Sequence, residues 1–166
     1  GMSERELGCA ARTVVLMQEY AESEGCRFVF TLAPNKNSLY PLFMPGLSVP
    51  DTASNAERFA AAISDMDGNY LNLFSVFEEE DELLYYRTDS HWNGKGAALA
   101  TDAMLTALGK DGDWTEGGFV TGEPHKGDLY EMLYPAGTAA EAAGGAVGGI
   151  QICFESDDLN RTAAAD

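Results

Sequence analysis

A short apolar segment, Arg27–Ala33, constrains the fold of this chain more than any other feature. It is rich in residues that favour strands, and Pro34 and Asn35 end it. Such a run is typical of a strand that is buried on both faces of a sheet. The residues before it, 4–24, place apolar side chains at helical spacing and predict an amphipathic helix. A helix followed directly by a buried strand favours an α/β fold.

Capping and breaking residues predict two further helices. One begins at Asp51 or Ser54 and ends at Asp67–Gly68, and the other runs from about Gly94 to Leu108 with Asn93 as its cap. Prolines at positions 34, 41, 45 and 50 predict an ordered loop over residues 34–50, with neither a helix nor an inner strand. The further strand candidates are Tyr70–Leu73, Leu83–Tyr86 and Gly149–Phe154.

The length of 166 residues fits one domain, and a hydrophobic fraction of 45% can supply its core. We expect this domain to occupy residues 4–156, followed by a polar tail at 157–166. The Ala/Gly-rich stretch 136–149 predicts a flexible loop. The three cysteines are far apart and odd in number, so we expect no disulfide framework and at least one free thiol.

The formal net charge of -17 argues against a nucleic acid or an anionic membrane surface as partner, because a polyanion would be repelled. The chain has no apolar run of about 20 residues, and its start lacks the basic and apolar regions of a signal peptide. We therefore expect no direct membrane insertion by this chain. The acidic run Glu78–Glu82 is most simply a solvated loop or the end of a helix.

A carboxylate and an imidazole lie two residues apart, at Asp89 and His91, between a predicted strand and the start of a predicted helix. In a hydrolytic triad the aspartate fixes the tautomer of the histidine, whose other ring nitrogen takes the proton of the nucleophile. We expect a carboxylate oxygen of Asp89 to hydrogen-bond a nitrogen of His91 at roughly 2.6 to 3.2 Å.

Three blocks of the sequence resemble one known family. Thr88–Asn93 with Gly96–Ala97 is similar to the T-D-x-H-W-x-x-x-G-A signature of the AlgJ/AlgX (DHHW) group of SGNH-hydrolase-like proteins. Residues Phe28–Pro45 are similar to the strand of that family and its A-P-x-K-x-x-I-Y-P loop. A weaker block, Gly127–Leu133, is similar to the G-D-L-x-x-M-L segment of relatives.

The resemblance implies a three-layer α/β fold of the SGNH (flavodoxin-like) type, with helices on both faces of a mostly parallel sheet that is incomplete at its C-terminal side. It also implies acyl transfer by a carbohydrate O-acetyltransferase or O-acetylesterase, in which Asp89 and His91 belong to a Ser–His–Asp triad and no cofactor or metal is needed. The implied partners are a polysaccharide or other acetylated carbohydrate and envelope proteins, and the implied location is extracytoplasmic or at the cell envelope.

The serine of the family lies further along the chain, in a G-D-S-F or G-T-S turn, and this sequence has no such turn. Ser156 has neither a small residue before it nor a helix after it, as an exposed nucleophile would need. Ser90 is expected to point away from Asp89 and His91. Neither serine is therefore a convincing nucleophile.

Five further residues are candidates for substrate binding. Asn35 and Lys36 follow a buried strand, where they could line an acyl pocket or stabilise an oxyanion, or else hold the loop. We expect His91 to face a cleft shared with Asn35 or Lys36. Tyr85, Tyr86 and Arg87 are expected to alternate between the core and the rim of the pocket. Trp92 is expected either to pack in the core or to stack on a sugar ring.

Two other functions remain open. A degenerate SGNH scaffold could be a non-catalytic module for glycan binding or assembly, as the absent serine turn suggests. A metal-dependent hydrolase using Asp89, His91 and the acidic run is poorer, because two spaced ligands do not make a metal site. The other histidine, His125, is expected in an exposed Gly/Pro-rich loop.

Overall fold

The computed structural model describes residues 1–43, 46, 52–116, 119–136 and 149–154, with the backbone alone for 119–125 and 149–154. The chain divides into two compact units, residues 1–75 with 103–110 and residues 76–102 with 111–166. Within the described part, no helix has the length and apolar character needed to cross a membrane.

Helix α1, Glu4–Ser23, confirms the first predicted helix. The hydroxyl of Ser3 accepts the backbone N–H of Glu6, whose carboxylate accepts the N–H of Ser3 at 2.7 Å. This capping box satisfies amide groups that have no partner inside the helix. The face buried by α1 contains Leu7, Ala11, Val14, Val15 and Gln18.

The first unit contains a small parallel sheet formed by strand β1, Phe30–Thr31, and strand β2, Tyr70–Leu71. Helix α3, Asn55–Ser64, lies between these strands in sequence and is capped by Ser54. The core combines α1 and α3, since Ala11, Val14 and Ile63 are buried together. The partly buried side chains packed against this cluster are Phe28, Phe30, Phe59, Ala62 and Tyr70.

The proline-rich segment is more helical than predicted. Residues Lys36–Leu39 form the short helix α2, and Pro41–Phe43 form one turn of 3₁₀-helix. Helix α2 forms because Asn35 caps it and the prolines lie outside it, so that no helical hydrogen bond is lost. Residues 44, 45 and 47–51, with the alternative cap Asp51, lie outside the described residues.

Helix α4, Leu73–Glu78, ends at the first residue of the acidic run. The end of a helix was one of the two structures predicted for this run. Helix α5, Gly94–Ala107, confirms the third predicted helix, and its cap is Asn93, whose Oδ1 accepts the N–H of Gly96 at 2.9 Å. The Lys95 ammonium pairs with Glu80 at 2.8 Å and Glu82 at 3.4 Å. The acidic run is therefore partly neutralised by a neighbouring cation.

Two predictions about the second unit are wrong. Leu83–Tyr86 is no strand, because the chain reverses at once and Tyr85 makes only an isolated antiparallel bridge to Trp92. His125 is the last residue of a strand and not part of a loop. That strand, β3 (Phe119–His125), pairs antiparallel with β4 (Gly149–Phe154), which confirms the last predicted strand. Helix α6, Asp128–Leu133, lies between them in sequence.

The α/β class with a parallel sheet is confirmed, although the parallel sheet of the described residues has only two strands. The predicted boundaries of the domain stay a prediction. Residues 137–148 and 155–166 lie outside the described residues. They contain most of the predicted flexible loop, the whole polar tail and Ser156.

Candidate active site

A tight reversal of the chain over residues 84–93 carries the Asp-x-His pair. The backbone N–H of Asn93 donates to the carbonyl of Leu84 at 2.8 Å, and that of Tyr86 donates to the carbonyl of His91 at 3.3 Å. The side-chain amide of Asn93 also donates to the carbonyl of Leu83 at 2.6 Å. Hydrogen bonds therefore fix both ends of the loop at the point where α5 begins.

Asp89 holds the imidazole of His91 from one side. Its Oδ1 lies 2.6 Å from Nδ1 of His91 and accepts the backbone N–H of the same residue at 2.9 Å. The separation expected from the sequence is thus present. The Asp89 side chain is only 7% exposed, whereas the His91 side chain is 76% exposed. A buried carboxylate therefore orients an imidazole whose other edge faces solvent.

This geometry determines which ring nitrogen of His91 is basic. Because a carboxylate only accepts hydrogen bonds, neutral His91 carries its proton on Nδ1 and has its lone pair on Nε2. No residue that the structure describes hydrogen-bonds Nε2. The hydrogen bond to Asp89, then the charges of Asp89 and Asp128, raise the pKa of His91 above its usual 6.5. His91 can therefore accept a proton through Nε2 as a general base.

A second carboxylate, Asp128, belongs to the same cluster. Its backbone N–H donates to Oδ2 of Asp89 at 3.2 Å, and its own Oδ2 lies 3.7 Å from Nδ1 of His91. Oδ1 of Asp128 accepts the N–H of Ser90 at 2.7 Å, and Oδ2 accepts the Ser90 hydroxyl. The hydrogen bonds from Ser90 lower the pKa of Asp128 below its usual value.

Ser90 does not point away from the pair, so that prediction is wrong. Its Oγ lies 3.4 Å from Nδ1 of His91, the nitrogen that already faces Asp89. Side chains alternate between faces in a strand, but a tight turn follows no such alternation. A serine nucleophile of a triad contacts the histidine nitrogen opposite its aspartate. Ser90 lies at the other edge of the ring and is therefore not placed as the nucleophile.

The start of α6 packs directly on the reversal. The N–H of Tyr130 donates to the carbonyl of Thr88 at 3.2 Å. A Cβ atom on Gly127 would overlap that same carbonyl and would lie 2.7 Å from the backbone nitrogen of Asp89. Only glycine fits this approach. The resemblance of residues 127–133 to a family segment is the one sequence signal that could have indicated that Asp128 lies beside Asp89 and His91.

The remaining candidates of the second unit differ in their exposure. Trp92 donates its indole N–H to the hydroxyl of buried Tyr85 at 2.5 Å, and its ring packs edge-on against Phe77 with centroids 5.2 Å apart. Tyr86 is buried, whereas Arg87 is exposed. Trp92 therefore has the packing role that was one of its two expected roles. Its side chain is half-buried, so part of it is exposed to solvent.

Asn35 and Lys36 belong to the first unit. Oδ1 of Asn35 accepts the N–H of Asn37 at 2.9 Å and so caps α2, and Lys36 is the first residue of that helix. The loop-holding role considered for Asn35 is present. The cleft that these residues were expected to share with His91 stays a prediction.

Asp89, His91 and Asp128 each offer one ligand atom within a common span of 4.8 Å, a spacing that a metal ion could use. Their carboxylate oxygens already accept N–H and O–H donors of the same cluster. The acidic run of the metal hypothesis is absent from this group of three.

Comparisons with known proteins agree with this reading of the sequence. The profile of the family described as "SGNH hydrolase-like domain, acetyltransferase AlgX" matches residues 3–145. The solved O-acetyltransferase domain of Pseudomonas putida AlgJ is similar in fold, with a TM-score of 0.55 and 20% sequence identity over 90% of this chain. This chain spans 55% of that structure's chain. No curated protein is significantly similar to the present chain. The family match covers most of the sequence, and the chain belongs to the SGNH hydrolase-like domain family of the acetyltransferase AlgX.

Proposed function

We propose that this chain supplies the Asp–His part of a Ser–His–Asp triad in a carbohydrate O-acetyltransferase or O-acetylesterase. One observation carries the proposal: buried Asp89 bonds Nδ1 of exposed His91 at 2.6 Å, which leaves Nε2 as the base. Family membership supports the acetyl chemistry, since acyl transfer by a serine needs such a base.

In the proposed reaction, Nε2 of His91 removes the hydroxyl proton of a serine as its oxygen bonds to the acetyl carbon of the donor. The imidazolium then gives this proton to the departing oxygen, and an acetyl-serine remains. A carbohydrate hydroxyl, or water, next loses its proton to Nε2 as it attacks, and the serine recovers the proton. Asp89 stays ionised and stabilises the imidazolium formed in each half of the reaction.

The proposed substrate is a polysaccharide or another acetylated carbohydrate. The proposed location of the reaction is the cell envelope or outside the cytoplasm, and the proposed protein partners are envelope proteins. The name of the AlgJ structure supports transfer of an O-acetyl group. We include Lys36 and Arg87 as polar contacts to the substrate and Trp92 as a stacking surface, since its indole N–H is already bonded to Tyr85. Asn35 and Tyr86 complete the proposed binding set.

A non-catalytic glycan-binding or assembly module is the second candidate. It is supported by the absence, among the described residues, of a serine hydroxyl at Nε2 of His91. Ser90 lies at Nδ1 and bonds Asp128. Such a module would bind acetylated carbohydrate without His91-dependent turnover.

Release of p-nitrophenol from p-nitrophenyl acetate by the complete gene product distinguishes the two candidates. His91→Ala is expected to lower kcat/KM by on the order of a hundredfold or more, because both half-reactions lose their base. The matched control is His125→Ala, which removes the chain's other imidazole and is expected to keep the rate. Equal rates for wild type and His91→Ala would contradict the catalytic proposal and favour the binding module.

The 166 residues alone are expected to hydrolyse this ester no faster than their own His91→Ala variant. The physical reason is that an Asp–His pair without a serine in reach cannot form an acyl-enzyme. Strong His91-dependent turnover by these residues would show that they contain the nucleophile. Ser156 and Ser90 would then be the first to replace by alanine.

A further inference from the structure

The Ser90 hydroxyl competes with Asp89 for the same ring nitrogen of His91. Oγ of Ser90 is 3.4 Å from Nδ1, and Oδ1 of Asp89 is 2.6 Å from it. If the hydroxyl donated its proton to Nδ1, the proton of neutral His91 would move to Nε2. Nε2 would then be a donor and could not act as a base. The direction in which this hydroxyl proton points therefore either supports or opposes the bond to Asp89 that keeps His91 basic on its exposed edge.

Asp128 fixes that direction. Its Oδ2 accepts the only hydroxyl proton of Ser90, and its Oδ1 accepts the backbone N–H of Ser90 at 2.7 Å. A hydroxyl carries a single proton, so Ser90 turns lone pairs, and no donor, toward Nδ1. The same residue also restrains the competing carboxylate, because its N–H bonds Oδ2 of Asp89 at 3.2 Å.

We propose that Asp128 is a positioning residue that holds His91 in the tautomer with the proton on Nδ1, by taking the hydroxyl proton of Ser90. This proposal rests on the proposed function, in which Nε2 of His91 is the base. It adds a third side chain and a fourth, Asp128 and Ser90, that act through His91 without touching the substrate.

The surroundings of Asp128 suit this role. Its lowered pKa, caused first by the hydrogen bond from the Ser90 hydroxyl, keeps it ionised and accepting at neutral pH. The start of α6 is held against the reversal by the hydrogen bond from the N–H of Tyr130 to the carbonyl of Thr88. The backbone at Gly127 lies so close to Thr88 that no side chain fits at that position. The carboxylate therefore has a fixed position relative to Ser90.

Asp128→Asn tests the proposal because an amide presents one acceptor and one donor. The amide oxygen can take the place of Oδ1 and accept the N–H of Ser90, so the amide NH₂ replaces Oδ2 and donates to Oγ of Ser90. The hydroxyl must then donate elsewhere, and Nδ1 of His91 is within 3.4 Å. We expect the ratio of Nδ1–H to Nε2–H tautomer to fall by roughly fivefold or more, the effect of one hydrogen bond.

The tautomer is measured from the ¹⁵N NMR shifts of the two ring nitrogens of His91, well above its pKa. Ser90→Ala should keep the Nδ1–H tautomer, and the double variant Asp128→Asn with Ser90→Ala should restore it, because the competing hydroxyl is gone. The matched control is Glu131→Gln, which removes a negative charge from the same helix. The carboxylate of Glu131 pairs with Lys126 at 3.2 Å. This control should leave the tautomer unchanged.

An unchanged tautomer in folded Asp128→Asn, or a double variant that fails to restore it, would overturn the proposal, since a merely structural role predicts no rescue by Ser90→Ala. A second measurement needs no variant of Asp128. The Asp128 carboxyl ¹³C shift should change between H₂O and D₂O in wild type. In Ser90→Ala this change should shrink to the part that comes from the retained backbone N–H of residue 90, and an equal change in both proteins would overturn the proposal. Absence of the change in wild type would also overturn it. No ester is used, so an intact tautomer without turnover would contradict the proposed function alone.

Discussion

At the scale of single residues, the candidate site depends on a contrast between two exposures. Asp89 is almost fully buried and accepts N–H groups of both His91 and Asp128. His91 is exposed, which leaves its reactive edge in contact with solvent. Hydrogen bonds hold the buried carboxylate of Asp89 in place, and the exposure of His91 leaves its imidazole accessible. Removing Asp89 would free the imidazole to rotate and to change its tautomer.

The raised pKa of His91 predicts a dependence of stability on pH. Because the folded pKa is higher than the unfolded value of about 6.5, folding is favoured most when the imidazole is protonated. This contribution is fully present below the unfolded pKa and is lost as the pH rises through the folded pKa. The free energy of unfolding of wild type relative to His91→Gln should therefore be larger at low pH and should shrink through that window.

Urea unfolding at a series of pH values measures this difference. The control is the same substitution, His91→Gln, in an Asp89→Asn background, where the hydrogen bond that raises the pKa of His91 is lost and the dependence on pH should be weaker. A difference between wild type and His91→Gln that grows as the pH rises would contradict the bond to Asp89.

At the scale of elements, α5 begins immediately after the reversal that carries the site, and close packing holds the two together. A Cβ on Gly96 would lie 2.5 Å from the carbonyl oxygen of Leu84 and 3.2 Å from its Cβ. Leu84 is fully buried and cannot move aside without disturbing the chain at the start of the loop. Gly96 therefore sets the distance between helix and reversal.

Two glycine-to-alanine substitutions in helices should have opposite effects. Gly96→Ala is expected to destabilise by about 1–3 kcal/mol, because the backbone of Leu84 must shift. Gly8→Ala in α1 has nothing within 4 Å of the added Cβ and is expected to stabilise by about 0.5–1 kcal/mol. Urea unfolding measures both. Stabilisation by Gly96→Ala would contradict the close packing.

The three long helices could be predicted from the sequence because local signals determine them. Ser54 and Asn93 are caps whose side chains bond the first turn, and apolar spacing fixes the buried faces. Leu83–Tyr86 has the composition of a strand, but its neighbours in the chain reverse and pair with it locally. Composition alone could not show that reversal, because strand pairing is a tertiary property.

The Asp89–His91 contact was predictable for the same local reason, since two residues of one turn are close in any fold. Asp128 was not predictable from spacing, because 39 residues separate it from Asp89 and only the packing of Gly127 on Thr88 brings it near. The error about Ser90 follows from the same gap, since the acceptor that turns its hydroxyl is on α6.

At the scale of the whole molecule, the family is established over residues 3–145, and the α/β class agrees with it. The net charge of -17 disfavours polyanionic partners, because they would be repelled. The candidate site lies within the second unit, in the reversal before α5 and at the start of α6.

Whether Nε2 of His91 is free to act as a base in the folded protein decides the catalytic reading most directly. The pH titration of the two ring ¹⁵N shifts of His91 in the wild-type chain measures it. The Nδ1–H tautomer at high pH, together with a pKa above 6.5, is the result predicted by the bond to Asp89. A neutral ring with its proton on Nε2 would contradict the assignment of His91 as the base, and a pKa at or below 6.5 would contradict the bond to Asp89.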